Sequence, residues 1–436
     1  MRPKFSTLLA TGIAVAGVLL LIAGMLLGRT TDSGRTVVTV RLWDEQVAAA
    51  YRQSFAEFSR THPDIEVHVN VVAYANYFNS LRTDIAGGGA DDIFWMSNAY
   101  LSGYADNRRL LSMEPSADWD PSTVAQFTRN GTLWAVPQLT DAGIAVYFNA
   151  DLLQAAGVEL AELVDAHWSV GDDDTLRPLL ARLTVDQNGN RPGTPAFDPQ
   201  RIRQWGYNAA NDLQGIYLNY IGSAGGTFTD GDRFTFANDQ AAQAFEYLVR
   251  LINTDHVAPS AADTNGNGDF SRNQFLAGRM ALFQSGTYNL AAIATQATFR
   301  WGVALLPIGQ AGRVSVTNGI AAAANSATTH PEAVRQVLAW MGSRDGNEYL
   351  GADGSAIPAV LSAQPVYFEH WRRRGVDVTP FFSVLRGPQI PAPGGAGFAA
   401  GYQALQPYFD EMFLGRLAVP DALTQAQQAA NTAAAR

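Results

Sequence analysis

A two-lobed α/β fold, built on open sheets that carry a ligand site at their strand ends, is what this sequence predicts, and three observations carry that expectation. Between Val37 and Tyr104 the chain alternates strand and helix periodicity, with polar or aromatic residues just past the end of every strand, where open α/β sheets bind their ligands. Its 436 residues, 47% of them hydrophobic, are more than a single core usually holds. Strand-like segments return after a long helical block, as they do when a chain crosses between two lobes.

The first strand is Val37 to Leu42, β-branched and followed by Trp43-Asp44-Glu45. Val47, Tyr51, Phe55 and Phe58 recur at three and four residues and share one helix face, and Thr61-His62-Pro63-Asp64 ends that helix. Ile65 to Val72 alternates as a second strand and delivers Tyr74, Asn76 and Tyr77. A helix through Phe78, Leu81 and Ile85 stops at Gly87 to Gly89. The third strand, Asp92 to Met96, opens onto Ser97-Asn98-Ala99-Tyr100. Further on, Gly143 to Asn149 reads as a strand at a first crossing between lobes, and Ala161 to Ala262 is mainly helical around a Gly/Pro/Asn-rich loop at 186–198. Gly278 to Phe283 leads as a strand into Gln284-Ser285-Gly286-Thr287-Tyr288-Asn289. Trp301 to Pro307 is another strand, Val314 to Ile320 crosses back, and helices follow at Pro331–Met341, 399–414 and 419–435.

Composition excludes much chemistry. The net charge of −10 disfavours a nucleic-acid partner. Without cysteine there are no disulfides, thiol nucleophiles, cysteine-ligated zinc or iron–sulfur clusters. The one lysine, Lys4, lies in the leader, so phosphate-loop, Schiff-base and kinase lysines are missing from the remainder. Arg2 and Lys4 precede an uncharged stretch from Phe5 to Leu27, which as a helix of about 34 Å would cross a bilayer. Residues 1–35 therefore read as a signal or uncleaved anchor that places the rest of the chain outside the membrane.

Other motifs are weaker. Asp263-Thr264-Asn265-Gly266-Asn267-Gly268-Asp269 has the start of a calcium loop but Gln274 at its twelfth position, and it reads as an Asn/Gly turn. Gly394-Gly395-Ala396-Gly397 follows Pro391-Ala392-Pro393 instead of a strand, which removes the context a nucleotide fingerprint needs. The six histidines lack metal-ligand spacing, and no Gly-x-Ser-x-Gly elbow occurs. Asp44, Glu45 and Asp141 leave a paired-carboxylate glycosidase open, since the sequence sets no carboxylate separation.

The runs His62 to Val67, Tyr77 to Ile85, Gly87 to Met96, Leu133 to Pro137, Val146 to Leu153, Gly278 to Phe283 and Ala321 to Met341 resemble, in order, the family 1 extracellular solute-binding proteins of ABC importers, the maltose-binding-protein type. Within that family the chain most resembles mycobacterial carbohydrate- and amino-sugar-binding members. The resemblance implies a class II periplasmic-binding-protein-like fold, with three interlobe crossings and the ligand cleft between lobes. Lobe 1 would comprise 36–146 plus 316–362, and lobe 2 would comprise 147–315 plus 363–436. The implied ligand-binding residues are Asp44, Glu45, Tyr77, Asn98, Asp141, Tyr217, Tyr220, Ser285, Gly286, Tyr288, Asn318, Gly319 and Arg386. Each tyrosine read alone fits core packing equally well, and Asp44, Asp141 and Arg386 fit a lobe-to-lobe salt bridge.

Two departures from the family pattern, Asn98 for a carboxylate and Tyr288 for a common Trp, argue against maltodextrins. The place of a lipid-anchoring cysteine holds Met25. The implied partners are a carbohydrate, ABC permease subunits and the membrane through the N-terminal segment. The protein would be an extracytoplasmic monomer in the periplasm or cell envelope, with no catalytic residue, metal, cofactor or nucleic acid. A glycerophosphodiester held by Arg386 is the alternative ligand, and a glycosidase the third reading.

Overall fold

The computed structural model describes residues 34–435, so the expected leader lies outside the described residues except for its last two positions. Among the described residues no helix is long and apolar enough to cross a membrane.

Val38, Val40 and Leu42 bury one face of β1 (Thr36–Leu42), which runs parallel to β2 (Ile65–Val71) on one side and β3 (Ile93–Ser97) on the other. Between them α1 (Glu45–Thr61) presents the expected stripe of Val47, Tyr51, Phe55 and Phe58 to the core. The helix α2 (Tyr74–Gly87) ends at Gly88, whose φ of 74° gives the left-handed stop that the glycine run promised. The strand Gly319–Ala324 pairs antiparallel with β3, and β4 (Val136–Thr140) pairs with its other edge, completing a five-stranded sheet. The acidic pair after the glycines is structural. Asp91 takes Arg41 Nε at 2.5 Å, and Asp92 accepts from the backbone and hydroxyl of Thr39 and from the Thr328 hydroxyl.

The second lobe has a smaller antiparallel sheet in which β5 (Ala145–Asn149) lies between Leu282–Ser285 and Trp301–Ala304. Its core is largely aromatic. Phe228, Phe234, Phe236, Phe245, Phe409 and Phe413 pack around the helix Asp239–Asn253 and the C-terminal pair Phe398–Phe413 and Val419–Ala434.

The three crossings are bonded to one another. Gly143 N–H donates to Phe381 O at 2.8 Å, Ile144 N–H to the Ser315 hydroxyl at 2.7 Å, and Asp141 N–H to Asn318 O at 2.7 Å. Beside them Ser315–Val316 and Gln389–Ile390 form a two-stranded parallel ladder. A Cβ on Gly143 would lie 2.2 Å from Val384 Cγ1 and 3.0 Å from the Ser315 hydroxyl, so the first crossing has no room for a methyl group. Gly143→Ala is therefore expected to destabilise the protein by about 1–3 kcal/mol, the usual cost of overpacking. Urea unfolding of the two proteins checks this, and equal midpoints would remove the constraint.

Candidate functional site

The carboxyl ends of the first-lobe strands meet the second lobe across a cavity of about 130 Å³. Tyr74 opens α2 after β2, and Asn98 opens the helix α3 (Asn98–Ala105) directly after β3. Both line the cavity with Ser97 and Tyr100. From the second lobe come Leu213, Gln214, Phe398 and Tyr402, while Asn318 enters from a crossing and Pro393 from the tail. A larger surface depression of about 550 Å³, near Arg177 and His256 on the second lobe, involves none of these strand ends.

The aromatic wall is braced from behind. Trp43 meets Tyr74, Tyr77 and Trp95 edge-on at 4.8–5.5 Å, and Phe78 stacks on Tyr100 at 3.6 Å. Tyr74 remains 59% exposed and Tyr288 48% exposed. Asp212 caps the turn Leu213–Tyr217 by accepting from Gly215 N–H at 2.9 Å, and this aims Gln214 towards Asp141, to which its side chain donates at 3.1 Å. Burial pushes the Asp141 carboxyl up to about 6, and the Gln214 bond opposes the shift. Burial raises Asp212 too, against the N–H groups of Gly215 and Gln214. Asp212, Asp141 and Tyr288 are close enough that both acids raise the Tyr288 hydroxyl, although burial is the larger cause. Asp212 and Tyr288 keep solvent contact while protein surrounds them, as groups on the floor of a cleft do.

The expected site residues divide. Asn98 and Asn318 line the cavity; Asp141 stands behind the lining, joined to it by the Gln214 bond, and Tyr288 lies near Asp141 and Asp212 outside the lining. Asp44 caps α1 by accepting from Val47 N–H at 2.9 Å, and Glu45 pairs with Arg52 on the surface at 2.9 Å. Tyr77, Tyr217 and Tyr220 are core residues. The Tyr77 hydroxyl bonds to the carbonyls of Arg41 and Trp95, that of Tyr217 to Tyr402, and that of Tyr220 to Tyr207. Ser285 is buried and accepts from Asn289. Gly286 accepts from Tyr147 at its carbonyl, and a Cβ there would strike the Tyr288 ring at 2.3 Å. Gly319 donates to Gln126 and packs against Thr123. Arg386 ends a short 3-10 turn, exposed and outside the cavity lining.

Sequence reasoning did not bring Asp212, Gln214, Phe398 or Tyr402 into the site. The available signals were the Asn-Asp pair ahead of an apolar helical run at 213–218 and the i,i+4 aromatic pair of the last lobe. Among the described residues no group of three or more His, Asp or Glu is placed to hold a metal ion.

Residues 43–348 match the family model described as bacterial extracellular solute-binding protein. The chain belongs to that family. Solute-binding proteins bind rather than transform their ligands, so the glycosidase reading falls. A probable ABC transporter-binding protein of Deinococcus radiodurans is 27% identical over 248 residues, covering 56% of this chain and 55% of the relative. A lipoprotein of Streptomyces antibioticus is 28% identical over 34% of each chain. The chain thus aligns with about half and a third of the length of these curated relatives. Among solved structures, UspC of M. tuberculosis is 71% identical, with 91% of this chain and 100% of that one covered and a TM-score of 0.78. The Listeria monocytogenes substrate-binding protein Lmo0181, solved with cycloalternan, reaches the same TM-score at 19% identity over 91% and 98% of the two chains. That second likeness concerns the fold alone.

The raised Asp141 carboxyl carries a stability prediction. Unfolded, it ionises near its ordinary value of 3.8; folded, it holds its proton to about 6, so its stabilising contribution is complete below pH 4 and lost as pH rises through 6. Asp141→Asn keeps an acceptor for Gln214 without that loss, and is expected to be about 1–2 kcal/mol more stable than the parent at pH 7, after allowing for partial solvent contact. Denaturant unfolding at pH 4 and pH 7 checks it, and a difference unchanged between the two would refute it.

Proposed function

We propose that this solute-binding protein captures a carbohydrate, an amino sugar or short oligosaccharide, outside the membrane and delivers it to the transmembrane subunits of an ABC permease. The observation that carries the reading is the lining of the interlobe cleft. Aromatic rings at Tyr74, Tyr100, Phe398 and Tyr402 stand among the neutral amides of Asn98, Gln214 and Asn318, and among the described residues no cation lines the cavity. Rings cover the apolar faces of a sugar, while amides and carboxylates take its hydroxyls. A glycerophosphodiester would need a cation near its phosphate, and Arg386 stands outside that lining. Asp141 and Asp212, raised by burial with no cation acting on them among the described residues, favour a ligand that brings its own positive charge, which is the chemistry of an amino sugar.

The same reading keeps two lobes close to 36–146 plus 316–362 and 147–315 plus 363–436, with the first boundary drawn back to the crossing at 141–144, since Ala145 and Val146 already pair with Ser285 and Gln284 in the second-lobe sheet, and the last carried on to the crossing at Phe381. The protein acts as an extracytoplasmic monomer, tethered to the membrane by residues 1–35. Closing on the ligand is a hinge motion about the three crossings, which the ligand favours by binding the closed form more tightly.

Calorimetry with glucose, glucosamine, their disaccharides and glycerophosphodiesters tests the proposal. Glucosamine affinity is expected to rise about fivefold between pH 5 and pH 7 as Asp141 ionises, because a hydrogen bond to a charged group is worth about 1 kcal/mol more than a neutral one. Glucose affinity should rise less, because its hydroxyls bring no positive charge to the carboxylate. Equal binding of the two sugars at pH 7 would remove the amino-sugar preference, and binding of the phosphodiesters alone would overturn the carbohydrate reading.

A further inference from the structure

The glycine run at 394–397, which lacks the context for a nucleotide site, lies along the edge of the cleft. The chain leaves the short strand Gln389–Ile390 at the crossings and re-enters helix at Phe398. Pro391 and Pro393 restrict the backbone of the segment between. Gly395, with φ 110°, and Gly397, with φ 74°, supply angles that side-chain-bearing residues avoid. Both ends are held by the second lobe and the crossings. Ile390 pairs with Val316, and the Phe398 ring stacks on Phe234 at 5.4 Å and on Tyr402 at 5.6 Å.

The middle reaches the first lobe. Asn98 Nδ2 donates to Ala392 O at 3.3 Å, and a Cβ on Gly394 would lie 3.3 Å from the Asn98 carbonyl oxygen. Asp232, at the tip of the hairpin Thr229–Asp230 and Arg233–Phe234, accepts from Ala396 N–H at 2.9 Å. Glycine at 395 is what allows that approach, since a Cβ there would stand 2.2 Å from the same carboxylate oxygen. The Asp232 carboxylate also faces Arg129 of the first lobe at 4.0 Å, and Asp106 holds that guanidinium by two bonds of 2.7 and 2.6 Å.

We propose that Pro391–Gly397 is a strap that latches the two lobes together, with Asp232 as its pin and Asn98 and Arg129 as its catches. The inference rests on reading the cleft as the ligand site. A cavity of about 130 Å³ is well below the roughly 300–1,000 Å³ of small-molecule pockets, so a sugar ring enters only when the lobes part. Parting them breaks the Asn98–Ala392 bond and separates Arg129 from Asp232, because both join one lobe to the other. The catches are one long hydrogen bond and one exposed ion pair at the limit of contact, weak enough to open repeatedly. The strap thereby sets the rate at which ligand enters and leaves.

The absence of cysteine makes a direct test possible. In the double variant Asn98→Cys, Gly394→Cys the two thiols start from adjacent positions, since a Cβ on residue 394 would lie 3.3 Å from Asn98 Nδ2 and from its carbonyl oxygen, and position 394 carries no positive φ to strain. The Asn98 catch is removed alike in every protein compared, so the rate of cross-linking, followed by loss of free thiol with no sugar present, reports how well Asp232 and Arg129 alone hold the strap to the first lobe. Adding Asp232→Ala is expected to slow it about threefold. Asp232→Asn, which keeps the acceptor for Ala396 but not the charge facing Arg129, should fall between. Asp232 is largely exposed, and unchanged thermal melts will establish that the variants fold. Equal rates in the three proteins would overturn the latch. Stopped-flow tryptophan fluorescence with glucosamine then separates the two readings. If the parent protein binds glucosamine, Asp232→Ala should release it about two- to fivefold faster, and unchanged release would sink the latch while leaving the carbohydrate reading intact. If the parent binds no sugar, the carbohydrate reading fails and the cross-linking rates still decide the latch.

Discussion

The hydrogen bonds that knit the three crossings together are the constraint on which the rest of this molecule depends. Each lobe has its own core, so the lobes could in principle take any relative position; what limits them is the short segment Asp141–Ile144, bonded on one side to Asn318 and Ser315 and on the other to Phe381. Gly143 admits the third crossing to within contact of the first, and any side chain there would push the crossings apart. Asp141 has a place in both structures. Its backbone joins the crossings and its carboxylate accepts from Gln214, whose residue lines the cleft, so on the proposed reading a charge that a ligand places near it acts on the element about which the lobes turn.

Much of the first lobe was legible because its strands and helices have clear periods. The stripe Val47, Tyr51, Phe55, Phe58, the glycine stop after α2 and the helix Pro331–Met341 are all found where periodicity and breakers place them. The order of the motifs was enough for the family and the two-lobed fold, since these are properties of the chain as a whole. Individual site residues were harder to read. Tyr74 and Tyr77 are three residues apart on one helix, yet Tyr77 turns under the sheet edge to bond Arg41 and Trp95 while Tyr74 stands at the first helical position with its ring largely exposed. Which face a tyrosine occupies depends on how the helix is rotated against its sheet, and that angle is a tertiary property. Acids posed the same problem. Asp44 and Asp212 both cap helical turns, but only Asp212 opens a turn that feeds a side chain into the cleft.

The charge pattern separates structure from function more sharply than residue type does. Asp91, Asp92 and Asp174 are satisfied by arginines, hydroxyls or backbone donors on their own lobe, as stably folded carboxylates generally are. Asp141 and Asp212 are different. Protein surrounds both while supplying few donors, so burial raises both carboxyls, even though Asp212 keeps solvent contact. On the proposed reading, that cost is recovered when a ligand brings donors or positive charge to the two acids.

The closing contacts, by contrast, are weak. A receptor that closed tightly by itself would bind slowly and release slowly, because only the open fraction can accept a ligand and the apparent affinity falls in proportion to it. Here the interlobe bonds are few. Asn98 reaches Ala392 at 3.3 Å, Arg129 approaches Asp232 at 4.0 Å while already engaged by Asp106, and Gln214 meets a carboxyl that burial disfavours as an anion. None of these is a fully paired, desolvated contact of the kind that commits a protein to one state. The free energy that distinguishes open from closed must then come chiefly from what lies between the aromatic wall and the two acids, which is the condition for the ligand itself to decide when the lobes close.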